Sequence, residues 1–198
     1  MVPRALMARK RKESAVQLYI AFYRIGNVGK YHWALVPSAT GPPSLIKPTK
    51  IYQIVAEMHE APDGRDVHRR WVTLNLSKEL GKSGRFMGVL LLPPLDPATS
   101  LDDLTDFLDA QPPVPHGLCP DALSEWTCAK WIADILLEQG PIWGIDFAGR
   151  DATIDTLYYS IYILAHRLVD GKEGAKSGYE AVEGSGGLRM VRFPTAAM

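Results

Sequence analysis

Two side chains in this sequence have the types and settings for covalent chemistry. His32 lies in the run Lys30-Tyr31-His32-Trp33-Ala34-Leu35-Val36, whose residues alternate as in a strand. Far downstream, Cys128 follows Thr127 at the start of a helical pattern, Cys128-Ala129-Lys130-Trp131-Ile132-Ala133-Asp134-Ile135-Leu136. A thiol attacks as thiolate, and both a helix N-terminus and a neighbouring imidazole favour that charged form. The pair could therefore act as nucleophile and base. The bland reading stays open beside it: Cys128 shares its stripe with Trp131, Ile132, Ile135 and Leu136, so it also fits an inert core thiol, and a lone strand histidine is commonly structural.

The elements that must position this pair can be outlined from pattern and punctuation. Strand-like runs cover Ala15 to Arg24, Lys30 to Val36, Lys50 to Glu57, Arg70 to Leu76 and Phe86 to Leu92, and the first two are joined across Ile25-Gly26-Asn27-Val28-Gly29 as a hairpin. The second half changes to a helical period. Ser100 caps a short helix with Leu101, Leu104, Phe107 and Leu108 on one face, and Asp102, Asp103 and Asp106 near its positive end. A second helix runs from about Thr127 to Gln139 and ends at Gly140-Pro141; a third runs from about Asp151 to Val169. Strands followed by helices predict an α+β domain, with an antiparallel sheet of about five strands and helices packed on it.

Residues 1–14 read as a flexible basic arm, 15–170 as a single catalytic-like domain, and 171–198 as a Gly-rich loop followed by a C-terminal tail or edge strand at Leu188 to Phe193. Lys and Arg total 22 and Asp and Glu total 22, so no net field draws the chain to nucleic acid. The run Arg9-Lys10-Arg11-Lys12 stands alone and reads as part of a solvated leader. The N-terminal residues are charged where a secretory signal needs an apolar core, and the apolar segment Ile154 to Val169 carries Asp155, His166 and Arg167, so a membrane span is not expected. With two cysteines, Cys119 and Cys128, too far apart for a CxxC site, the expectation is a reducing, cytoplasmic setting without structural zinc.

The order of these motifs, with His32-Trp33-Ala34-Leu35 on a strand and Cys128 opening a helix, resembles the circularly permuted NlpC/P60 (papain-like) superfamily, in particular the lecithin:retinol acyltransferase and phospholipase A/acyltransferase families. Their strand motif reads His-Trp-Ala-Ile or similar, and their cysteine is preceded by asparagine. The chain also resembles an uncharacterised family of fungal proteins with a similar strand histidine and helix cysteine. The resemblance covers about residues 16 to 140. It implies a permuted papain-like fold and a thioester acyl-enzyme, with Cys128 as nucleophile, His32 as proton shuttle and the Cys128 N–H as oxyanion donor.

The resemblance also implies a third polar residue on the next strand, where Ile51-Tyr52-Gln53-Ile54-Val55 offers Gln53 in place of the usual histidine. Glutamine can fix an imidazole tautomer but cannot titrate. Thr127 replaces the asparagine before the cysteine and can still cap the helix. Since the lipid-active relatives rely on an apolar anchoring segment that is not found here, the expected substrate is a soluble small-molecule or peptide-like acyl compound, handled by hydrolysis, acyl transfer or a biosynthetic cyclisation. No cofactor and no metal are expected. The alternative from another class is a non-catalytic binding module on the same fold.

Three other features have weaker chemical readings. Cys119 follows His116 in a loop without a helix start. His59 and His68 flank a loop carrying Asp63 and Asp66, but the spacing fits no standard metal motif. Tyr158, Tyr159, Tyr162 and His166 read as core and rim of the third helix.

Overall fold

A computed structural model describes residues 16–26, 30–60, 67–114, 126–145, 147, 152–170, 181–184 and 187–193. The arm at 1–14, the turn at Asn27 to Gly29, the Asp63/Asp66 loop, His116 and Cys119 lie outside the described residues. The architecture is mixed α+β. Strands β1 (Gln17–Arg24), β2 (Tyr31–Ser38) and β7 (Phe86–Leu91) join β8 (Ala181–Gly184) and β9 (Leu188–Arg192) in a five-stranded sheet of order β2-β1-β7-β9-β8. Two smaller antiparallel pairs stand apart from it, β3 (Thr49–Ile51) with β6 (Leu76–Lys78), and β4 (Ile54–Glu60) with β5 (Val67–Thr73).

β1 is central because both of its faces are apolar. Leu18, Ile20 and Phe22 point to one side and Tyr19, Ala21 and Tyr23 to the other, and all six are buried. On the first side they meet Trp33, Leu35 and Leu90 and the helices α2 (Cys128–Gln139) and α3 (Ile154–Asp170), with Leu104 and Leu108 of α1 (Leu101–Asp109) in the same core. On the second side they meet Ala34, Val36, Val89 and Met190, under Ile51 of β3 and Leu80 of a short 3-10 turn. Gly88 lets β7 fit between its neighbours: its φ is 150°, the β1–β7 register shifts beside it, and a Cβ there would come within 2.5 Å of the Arg189 carbonyl oxygen.

The helices begin where their caps dictate. The Ser100 hydroxyl accepts from the Asp103 N–H, and the Thr127 hydroxyl accepts from the Lys130 N–H at 3.1 Å. Thr153 and Thr156 exchange backbone-to-hydroxyl bonds in both directions at the start of α3.

Three expectations require correction. Lys50 to Glu57 is not one strand: Tyr52 exchanges both backbone bonds with Leu35 of β2, which ends β3 and restarts the chain as β4 after Gln53. Arg70 to Leu76 is likewise divided between β5 and β6, because the Leu74 N–H turns to the Gln53 carbonyl. The segments expected third and fourth in the main sheet therefore form the two small pairs. Their places in the main sheet are taken by β8, inside the expected Gly-rich loop, and by β9, which is neither tail nor edge. β9 pairs with β7 in parallel, so the sheet is predominantly but not wholly antiparallel.

The two-sided burial of β1 predicts a steep cost for emptying it. Phe22→Ala should lower stability by about 3–5 kcal/mol, whereas Ile46→Ala, at a side chain 80% exposed, should stay within about 0.5 kcal/mol, both read by urea denaturation.

Candidate functional site

The site forms along the outer edge of β2. Leu35 turns its N–H and C=O away from β1 to bond Tyr52, and in a regular strand Trp33, two residues earlier, projects its N–H from the same edge. That N–H would be left open on an edge strand. It lies near the Cys128 sulfur, and together with the backbone N–H groups of Ala129 and of Cys128 itself it favours the thiolate. The N-terminus of α2 thus closes the strand edge one peptide unit away from His32.

His32 is fixed by a different set of groups. Its Nε2 lies 2.6 Å from Gln53 Oε1. An amide oxygen only accepts, so Nε2 carries the hydrogen and Nδ1 is left with the lone pair of a base. Gln53 is itself 4% exposed and is held by its carbonyl's bond from the Leu74 N–H. Strand alternation turns His32 toward Tyr23, its cross-strand partner, with ring centroids 6.2 Å apart, while Trp33 turns toward the helices.

Electrostatics favour the uncharged form of both Cys128 and His32. Burial pushes the Cys128 thiol up to about 11, outweighing the three backbone donors that favour thiolate. Burial also pulls His32 below its ordinary value, with Lys78 adding repulsion and the Gln53 bond opposing both. Cys128 is 6% exposed, and among the described hydrogen bonds none joins its sulfur to His32. The resting state is a neutral thiol and a neutral imidazole, not a thiolate–imidazolium pair.

An aromatic ladder flanks the sulfur. Trp33 stacks on Tyr158 at 5.5 Å, Tyr158 on Tyr162 at 5.9 Å, and Tyr162 meets His166 edge-on at 4.6 Å. Tyr31 joins them through a 3.2 Å bond between its hydroxyl and His166 Nδ1, whereas Tyr159 faces solvent. The helical spacing of Tyr158, Tyr162 and His166 was a readable signal for this stripe. Lys78 had no such signal, since β6 reaches His32 only through tertiary packing. His59 and His68 are opposite each other in the β4–β5 register, and among the described residues no group of three or more metal-ligating side chains gathers. Among the described residues, no helix is long and apolar enough to cross a membrane.

No family model matches the chain, and no characterised protein and no solved structure matches it.

Two outcomes follow from the site's electrostatics. A thiol raised from 9.0 to about 11 binds its proton more tightly folded than unfolded, so its stabilising contribution is complete below pH 9 and is lost as pH rises toward 11. Cys128→Ala should flatten that alkaline loss by roughly 2 kcal/mol in denaturation curves measured across the window. Gln53→Leu should cost about 1–3 kcal/mol, because it leaves the His32 Nε2–H without its acceptor in a largely buried place; an unchanged unfolding midpoint would show that the bond contributes nothing.

Proposed function

We propose that the protein is a cysteine-dependent hydrolase or acyltransferase of permuted papain-like type, acting through a thioester on a soluble small-molecule or peptide-like acyl substrate. The observation that carries this reading is a sulfur at the start of α2 set beside the Trp33 backbone N–H, with the preceding residue an imidazole whose Nε2–H is committed to Gln53 and whose Nδ1 is left as the acceptor. The resemblance in the His32 and Cys128 motifs supports it independently.

The opposed protonation preferences define how such a reaction runs. With the thiol neutral, the proton leaves sulfur during attack: Sγ bonds the acyl carbon, His32 Nδ1 takes the proton, and the leaving oxygen, nitrogen or sulfur recovers it as the acyl bond breaks. Water or a second nucleophile then gives its proton to His32 as it bonds the acyl carbon; the Sγ–carbon bond breaks, and the sulfur takes the proton back from His32, restoring the neutral thiol. Backbone N–H groups at the start of α2 are the available oxyanion donors once the sulfur has turned to the substrate. The transfer requires sulfur and imidazole, which share no described hydrogen bond, to meet in the substrate-bound arrangement.

A second reading, a non-catalytic binding module on the same fold, is favoured by the burial of the Cys128 sulfur and its raised titration. Both are decided by one experiment. The native protein is incubated with p-nitrophenyl acetate and a panel of acyl thioesters, and intact mass is followed. Under the enzymatic reading an acyl adduct forms on Cys128, is absent in Cys128→Ala, and forms at least about a hundredfold more slowly in His32→Gln. Adducts spread over lysines, or a Cys128 adduct indifferent to His32, would establish the binding-module reading.

A further inference from the structure

Among the described residues, three side chains on other elements bear on His32. Tyr23 of β1 lies across the ladder, Gln53 of the β3–β4 link accepts its Nε2–H, and the charge of Lys78 of β6 acts on it. Tyr23 connects the other two. Its ring centroid is 6.2 Å from the imidazole, and the Lys78 ammonium sits 4.0 Å over the same ring. Of these neighbours Lys78 alone is cationic at neutral pH. It is partly buried, and among the described residues it has no ion-pair partner, unlike Lys50 with Asp109 and Lys82 with Glu79.

An ammonium held on an aromatic face gains from the ring quadrupole and so can remain close to a second site of positive charge. Here that second site is the imidazole. Two like charges within roughly 10 Å, both close to the buried Tyr23 ring, disfavour each other more than they would in water. Tyr23 is 5% exposed, burial pushes its phenol up, and among the described residues its hydroxyl has no hydrogen-bond partner, so the ring serves as a neutral seat for Lys78 and supplies no compensating negative charge. Gln53 likewise cannot ionise. Nothing in this set neutralises an imidazolium.

We propose that Lys78, seated on the Tyr23 ring beside His32, is a positioning residue that holds the imidazole in its uncharged, proton-accepting form. A titratable third residue on the neighbouring strand would be the ordinary way to tune the base; here Gln53 fixes the tautomer, and Lys78 adds to the preference for the neutral ring that burial sets. The catalytic use of this device rests on the thiol-enzyme reading, but the effect on His32 does not.

The test is a pH titration of the imidazole resonances in histidine-labelled full-length protein, with His32 assigned from the His32→Gln spectrum. In Lys78→Met, which keeps the length of the side chain and removes its charge, His32 should titrate at higher pH than in the parent. Lys78→Arg should restore the parent midpoint. Tyr23→Leu, which removes the seat, should also move it upward. An unchanged or lower midpoint in Lys78→Met, or a Lys78→Arg protein that behaves like Lys78→Met, overturns the proposal. Should the midpoint move as expected while no acyl adduct forms on Cys128 in any variant, the proposal stands and the thiol-enzyme reading falls. If adducts form but the midpoint stays fixed, the reverse holds.

Discussion

The outer edge of β2 is the constraint on which the site depends. An edge strand presents a row of backbone groups that must find partners or water. In this protein a full strand does not cover it. Leu35 is satisfied by the short Tyr52 bridge, and the Trp33 N–H lies near the sulfur at the first turn of α2. Because Tyr52 must stop to make that bridge, the residue after it, Gln53, is delivered to His32. One unfinished strand edge thus brings together residues from β2, the β3–β4 link and α2, with the Trp126 and Trp131 indoles tying the α2 N-terminus to the Pro113 and Pro112 carbonyls at 3.0 and 2.9 Å.

Burial acts on Cys128 and His32 in opposite directions. Desolvation raises an acid and lowers a base, so the same dry surroundings that protonate Cys128 deprotonate His32. The helix N-terminus was expected to favour thiolate. It does so, through the Ala129 and Cys128 N–H groups, but three partial charges do not offset removal of the sulfur from water.

The aromatic ladder shows how far the surroundings of Cys128 are specified by packing. Trp33 belongs to the same motif as His32, yet the two side chains have different tasks: one points at the helices and stacks on Tyr158, the other points across the strand toward Tyr23. The alternation of the strand therefore separates an apolar wall from a polar base within two residues.

Much of this was legible in the sequence. Periodicity located β1, β2 and β7, caps at Ser100 and Thr127 located two helix starts, and the α+β class followed from their order, because these features depend on local conformation and on which face is apolar. Tertiary structure alone decided that Lys50 to Glu57 breaks at Tyr52, that β9 enters the sheet parallel to β7, and that Lys78 stands over Tyr23 beside His32. Each of those is a pairing between distant segments, and strand pairing is set by backbone partners and burial that no short stretch of sequence encodes. The residue types of the site could be read from the chain; their protonation could not, because it is set by how much water the finished fold leaves around them.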